Sequence, residues 1–134
     1  MIQVFCKKRG AGKTKELIEL ANRNLLTQQG NSVYIDDDDR IGMQLNRKIR
    51  FVSTKDFSLN EFQELYGLLC GIISKDYDME NIYIDGLSNI IQKNIRNADN
   101  LFFKLEELTE RFEVNIYINV DEDDGVPDFI KKYA

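Results

Sequence analysis

Basic residues and glycines are combined near the start of the chain in the segment Lys7-Lys8-Arg9-Gly10-Ala11-Gly12-Lys13-Thr14. Glycines let a backbone curl so that several N–H groups point inward, and at the start of a helix such groups form a concave site for an anion. Gly10 and Gly12 are placed for that turn, and the Lys13 ammonium adds positive charge beside it. The segment therefore predicts binding of phosphate oxygens.

The distribution of charge supports a local rather than a general anionic partner. The net charge is −5, and both nucleic acid and anionic membranes require a basic face, so neither is an expected general partner. The first acidic residue is nevertheless Glu16. Five basic residues precede it, and they are Lys7, Lys8, Arg9, Lys13 and Lys15.

A carboxylate follows a second apolar segment, Ile82-Tyr83-Ile84-Asp85. At the end of a strand, such a carboxylate can hold a water of a Mg²⁺ ion, and the Thr14 hydroxyl beside Lys13 offers a further oxygen ligand. Many buried strands also end in an aspartate at a turn. This segment therefore indicates a metal site mainly because the chain also contains a predicted phosphate-binding segment.

The spacing of the apolar residues predicts the strands and helices that must position these side chains. Short apolar segments alternate with segments of helical spacing, which predicts an α/β fold with a mainly parallel sheet and helices on its faces, in one domain over 1–134. Strands are expected over 2–6, 32–35, 49–52, 82–84 and 114–120, and helices over 13–29, 59–75, 87–95, 99–112 and part of 128–133. The polar ends of several strands should therefore meet at one edge of the sheet.

Two details of the helix over 59–75 give further expectations. Ser58, followed three residues later by Glu61, fits a capping box at the start of this helix. Gly67 and Gly71 lie one turn apart and lower helix propensity, which predicts that another element packs closely against them.

The first segment resembles the Walker A loop, G-x-x-x-x-G-K-[ST], and Ile82 to Asp85 resembles a Walker B strand. With a final strand that ends in Asn119, the chain resembles the additional-strand class of P-loop NTPases. The stretches 34–40 and 49–52 are similar to those of small Gram-positive bacterial P-loop proteins sometimes labelled twitching-motility-type ATPases.

The resemblance implies a three-layer α/β/α sandwich that binds ATP or GTP with Mg²⁺. Lys13 would contact the β- and γ-phosphates, Thr14 and Asp85 would hold the metal, and these residues would meet at the ends of adjacent strands. Asn119 would sense the γ-phosphate, although it could equally be an ordinary turn residue. The nucleotide-binding residues would be Lys8, Arg9, Gly10, Ala11, Gly12, Lys13, Thr14 and Lys15.

Two positions depart from the family pattern. Lys7 stands where the first glycine is expected, so it must accept a constrained backbone or shift the loop. Gly86 stands after Asp85, where many such ATPases carry a glutamate that activates water. A base would then come from the acidic run 36–39, with Asp37 or Asp38 as candidates, although most of that run fits a solvated acidic turn.

The leading functional prediction is an ATP-binding protein with slow or partner-stimulated hydrolysis, acting as a regulator or assembly component with a protein partner or a second copy. A nucleotide-binding module without turnover is the first alternative, and a small-molecule or nucleotide kinase is the second. The absence of a signal segment or an apolar run of about 20 residues favours a cytoplasmic protein without a membrane span. Cys6 and Cys70 are expected to be reduced core residues, and no histidine accompanies them.

Overall fold

Five apolar segments form the strands of one parallel sheet in the computed structural model, which describes residues 1–123 and 125–134. Helices α1 to α5 connect or follow the strands, and short 3₁₀ helices occupy Asp39–Gln44, Thr54–Asp56 and Ile95–Asn97. The order is β1 (Ile2–Lys7), α1 (Lys13–Asn24), β2 (Asn31–Asp36), β3 (Arg50–Ser53), α2 (Phe62–Lys75), β4 (Met79–Ile84), α3 (Leu87–Ile90), α4 (Asp99–Phe112), β5 (Asn115–Asp121) and α5 (Asp128–Lys131).

The strand order is β1-β5-β4-β2-β3, with every pair parallel. Helices lie on both faces, so the predicted three-layer α/β/α sandwich is confirmed. The expectation that the Lys13 loop and Asp85 follow adjacent strands is wrong, because β5 lies between β1 and β4. Residues 116–120 of β5 are all buried, and a strand apolar on both faces belongs in the interior of a parallel sheet.

Each face of the sheet has its own core. On one face, α1 buries Leu17, Ile18 and Ala21 against the aromatic residues of the central strands. The opposite face carries the larger core, where α2 and α4 cover the aliphatic residues of the strands. The carboxyl ends of all five strands therefore open at one edge, between these two layers.

A row of aromatic rings crosses the sheet beneath α1. Tyr34 stacks with Tyr83 at 6.0 Å between ring centroids, and Tyr83 stacks with Tyr117 at 5.1 Å. Phe51 extends the row onto β3. These residues are cross-strand neighbours in register, so the row fixes how the strand ends align at the edge above them.

The helix boundaries differ from the sequence predictions in two places. Helix α1 ends at Asn24 rather than near Gln29, because a turn follows in which the Leu26 N–H donates to the Arg23 carbonyl. The helix predicted over 87–95 is only the short α3, since Ile91 adopts an extended backbone with φ −112° and ψ 107°.

The start of α2 also differs from its prediction. Its capping box pairs Glu61 with Glu64, and the Glu64 carboxylate accepts from the Glu61 N–H at 2.8 Å. The predicted pair of Ser58 and Glu61 is wrong, because the backbone remains extended at Glu61 and becomes helical only afterwards. Close packing at Gly67 and Gly71 is wrong as well, since a Cβ at either position would meet no atom within 4 Å.

Candidate functional site

Residues 8–12, which we call the glycine loop, connect the end of β1 to the start of α1. Gly10 and Gly12 both adopt the left-handed region with φ 82°, which a side chain would strain. The Ala11 N–H donates to the Lys8 carbonyl at 3.1 Å and closes the turn. The loop is exposed and ends at Lys13, the first residue of α1, so its backbone lies at the positive end of the helix dipole.

Lys7 causes no distortion where the family pattern has its first glycine. It is the last residue of β1, pairs in register with Asp121, and retains an extended strand backbone. Its ammonium forms an ion pair with Glu16 on α1. A glycine is therefore not needed at this position, because the left-handed turn begins only at Gly10.

Lys13 is held by a carboxylate from the neighbouring strand. Its Nζ lies 2.5 Å from Asp121 Oδ1, and it also donates to the Lys8 carbonyl at 3.2 Å. The Lys13 side chain is only 10% exposed and that of Asp121 14%, so solvent screens this pair weakly. Asp121 is therefore the anionic partner of Lys13 in this structure.

Arg9 strengthens this arrangement from the loop itself. Its Nη2 lies 3.2 Å from Asp121 Oδ2, and its backbone N–H donates to Asp123 Oδ2 at 3.3 Å. Partial burial alone would raise the pKa of Asp121, but the hydrogen bonds and charges of Lys13 and Arg9 lower it overall. The Asp121 carboxylate is therefore ionised at neutral pH, and it binds two cations of the predicted nucleotide site.

Asn119 connects the glycine loop region with the end of β4. Its Nδ2 donates to the Lys13 carbonyl and to Asp85 Oδ1, at 3.0 Å in each case. The Lys13 carbonyl and the Asp85 carboxylate therefore lie within about 6 Å of each other. Asn119 is 1% exposed and lies within β5, so it is not a turn residue.

Asp85 follows β4 and is held on both of its oxygens. The Tyr34 hydroxyl donates to Oδ2 at 2.8 Å, while Asn119 donates to Oδ1. Burial and the adjacent Asp85 raise the pKa of Tyr34 well above its ordinary range, so this hydroxyl stays protonated as a donor. Asp85 is 3% exposed, and its carboxylate is thus oriented rather than free to rotate.

Asp36 lies beside Asp85 at the end of β2, and it is 5% exposed. Burial, a hydrogen bond with Asp37 and the negative charge of Asp85 raise the pKa of Asp36 to about 9. Asp36 therefore carries a proton at neutral pH. Two buried carboxyl groups on neighbouring strands avoid mutual repulsion in this way.

The two acidic candidates for a base lie outside this buried group. Asp38 caps the following 3₁₀ helix through the Arg40 N–H, and it forms an ion pair with the Arg40 guanidinium at 2.9 Å. Its hydrogen bonds with Arg40 lower the pKa of Asp38 to about 2, which makes it a weak base. Asp37 is half-buried in an open depression with Lys55 and Asn89.

The residues predicted to hold Mg²⁺ carry carboxylate and hydroxyl oxygens, which are ligand types that this ion binds. The Asp85 carboxylate accepts from Tyr34 and Asn119 on separate oxygens and also pairs with Asp36, and Thr14 is half-buried at the start of α1. Mg²⁺ binds through few protein oxygens and keeps several waters. In residues 1–123 and 125–134, no group of three or more His, Cys, Asp or Glu side chains is arranged to hold a metal.

The sequence predictions did not name Tyr34 or Asp121 as site residues, and they included Asp36 only within the acidic run 36–39. The signal for Tyr34 and Asp36 is a repeated triplet, Tyr34-Ile35-Asp36, Tyr83-Ile84-Asp85 and Tyr117-Ile118-Asn119, which places a polar residue two positions after each stacked tyrosine. Because alternate residues of a strand share a face, the triplets align the three polar ends in one row. Asp121 has no comparable local signal.

The chain matches no protein-family model and no curated protein sequence. Across the described parts of the chain, no helix is both long and apolar enough to cross a membrane.

Proposed function

We propose that this chain is a P-loop nucleotide-binding protein of the additional-strand class, which binds the phosphates of ATP or GTP on the glycine loop, Lys13 and Thr14. One observation carries the proposal most strongly. Asn119, on a strand inserted between β1 and β4, donates to the first residue of the loop helix and to Asp85. Through these two hydrogen bonds, the Asn119 side chain connects the segment that resembles a Walker A loop with the Asp85 end of the segment that resembles a Walker B strand.

The glycine loop supports phosphate binding through its backbone and charge. Two left-handed glycines precede a helix of 12 residues, so N–H groups and the helix dipole favour an anion at that end. Lys13 already binds an anionic group, the Asp121 carboxylate. A phosphate oxygen presents the same charge to the same ammonium.

Thr14 and Asp85 would hold a Mg²⁺ ion that accompanies the nucleotide. Bound Mg²⁺ would neutralise phosphate charge. Tyr34 and Asn119 orient Asp85 from both sides, so this carboxylate is fixed before any ligand arrives. Preorganisation of that kind reduces the entropy lost on binding.

Slow or partner-stimulated hydrolysis fits the protonation of the acidic residues. Asp36 carries a proton at neutral pH and Asp38 has a pKa of about 2, so neither is a good proton acceptor for an attacking water. Gly86 occupies the place of the usual glutamate and adopts φ 70°. The same observations favour the second candidate, a nucleotide-binding module without turnover.

Phosphate release in the presence of Mg²⁺ separates these functions. We expect slow release of phosphate from ATP or GTP by the unaltered chain, and release at background by Lys13→Ala. Lys132→Ala serves as the control, because Lys132 is an exposed lysine near the C-terminus. Nucleotide binding with only background release would favour the module without turnover, while no binding at all would refute both candidates.

A further inference from the structure

An open groove of about 560 Å³ runs between strand β3 and helix α2, away from the glycine loop. Its walls include Val52, Leu68 and Ile72, which are half-buried, and Phe57, which is 49% exposed. Met79 also lines the groove. The groove therefore presents an apolar strip, bordered by polar side chains, that the chain itself leaves in contact with water.

The groove exists because one strand lacks a helical cover. Val52 pairs in register with Ile35, so both side chains point to the face of the sheet that carries α2. Ile35 is fully buried in the larger core, whereas Val52, one strand further out, is only half-buried. The strip of the sheet beside α2 is therefore only partly covered on this face.

Gly67 and Gly71 leave the α2 wall of the groove without side chains at two positions one turn apart. Both are exposed, neither has a positive φ, and a Cβ at either would meet no atom within 4 Å. Neither the backbone conformation nor internal packing requires glycine, and each costs the helix about 1 kcal/mol relative to alanine. Glycine does permit another backbone to approach α2 closely.

The rim of the groove is basic in an otherwise acidic chain. Lys48, Arg50 and Lys75 are exposed, and none of them forms an ion pair with a described residue. The acidic residue of the rim, Asp76, already accepts from Asn31 Nδ2 at 2.8 Å and from the Asp78 N–H at 2.9 Å. The rim therefore favours an occupant with negative charge.

We propose that this groove binds an amphipathic helix of a partner protein, with its apolar face on Val52, Phe57 and Ile72 and its acidic flank on the basic rim. The glycines allow that helix to lie close beside α2, as in helix-in-groove recognition. This inference does not depend on nucleotide binding, because the groove shares no lining residue with the glycine loop.

A phage-displayed library of helical peptides with varied charge provides the probe. Peptides selected on the full chain are titrated against Gly67→Leu/Gly71→Leu, which fills the groove, and against Lys48→Glu/Lys75→Glu, which reverses the rim. The control is Asn100→Leu, which adds the same side chain to an exposed position of α4. Circular dichroism verifies that each variant is folded.

We expect the selected peptides to be rich in Asp and Glu beside an apolar stripe. Both groove variants should weaken their binding at least about tenfold, and Asn100→Leu should leave it unchanged. Absence of binders, binders insensitive to the glycine substitutions, or binders without acidic enrichment would overturn the proposal. Sedimentation showing self-association of the unaltered chain, lost on filling the groove, would overturn it in favour of a second copy.

Discussion

Lys13 and Asp121 form an ion pair with 2.5 Å between Nζ and Oδ1, although they belong to the start of α1 and the end of β5. Under the proposed function, the lysine that would bind phosphate is occupied by a carboxylate of the same chain. Nucleotide must then displace Asp121 before Lys13 can bind it, so the ion pair opposes binding.

Asp121→Asn should therefore raise the affinity for Mg-nucleotide. Removing the carboxylate charge frees Lys13 and Arg9, and we expect a Kd about fivefold lower, equivalent to about 1 kcal/mol. Titration of a fluorescent nucleotide analogue measures this change. Asp128→Asn, at an exposed position of α5, is the matched control, and an unchanged or higher Kd for Asp121→Asn would contradict the displacement.

Asn119→Ala should destabilise the fold as well as the site. The substitution leaves Asp85 Oδ1 and the Lys13 carbonyl without the amide that donates to both, and Asn119 and Asp85 are almost fully buried. A buried polar group that loses its partner costs about 1–3 kcal/mol. Urea unfolding should show this loss, while Asn100→Ala on the surface of α4 should change the free energy of unfolding by less than about 0.5 kcal/mol.

The strands and the glycine loop were predictable because their signals are local. Apolar segments and glycine spacing act over a few residues, and β1, β4 and the start of α1 are close to their predicted positions. The insertion of β5 between β1 and β4 depends on pairing between opposite ends of the chain, such as Ile2 with Ile116, which no short window reveals.

The role of Asp121 was missed for the same physical reason. It approaches Lys13 only because β5 lies beside β1, so the contact is a consequence of strand order. The start of α2 was mispredicted for a different reason. Only Ser58 with Glu61 fits the sequence pattern of a capping box, because Glu is not a preferred N-cap residue. The box of Glu61 with Glu64 follows from the backbone, which is extended at Glu61 and becomes helical at Phe62.

Glu64→Ala should therefore cost more than Ser58→Ala. Glu64 Oε1 accepts from the N–H groups of Asn60 and Glu61, at 2.8 Å each, and loss of a helix cap costs about 0.5–2 kcal/mol. Thermal or urea unfolding of the two variants provides the comparison. Equal effects would mean that Ser58 shares the capping role.

The pKa of Asp36 predicts that stability decreases as pH rises. Below pH 4 the group is protonated in both the folded and the unfolded chain, whereas between about 4 and 9 only the folded chain retains the proton. The unfolded state thus binds fewer protons, and the contribution of Asp36 to the free energy of unfolding falls by up to about 1.4 kcal/mol per pH unit.

Asp36→Asn removes this dependence, because an amide resembles the protonated acid. Urea unfolding at pH 5 and pH 8 should show the variant gaining stability relative to the unaltered chain at the higher pH. Asp38→Asn is the control, since Asp38, with a pKa of about 2, is ionised throughout this range. Parallel pH profiles for the unaltered chain and Asp36→Asn would contradict a proton on Asp36.

Titration of fluorescent ATP and GTP analogues, with and without Mg²⁺, tests nucleotide binding on the glycine loop most directly. The unaltered chain and Lys132→Ala should bind saturably and more tightly with Mg²⁺, and Lys13→Ala should lose at least about tenfold in affinity through loss of a charge-assisted contact with phosphate. Equal affinity of Lys13→Ala and the unaltered chain, or no saturable binding by the unaltered chain, would contradict the account.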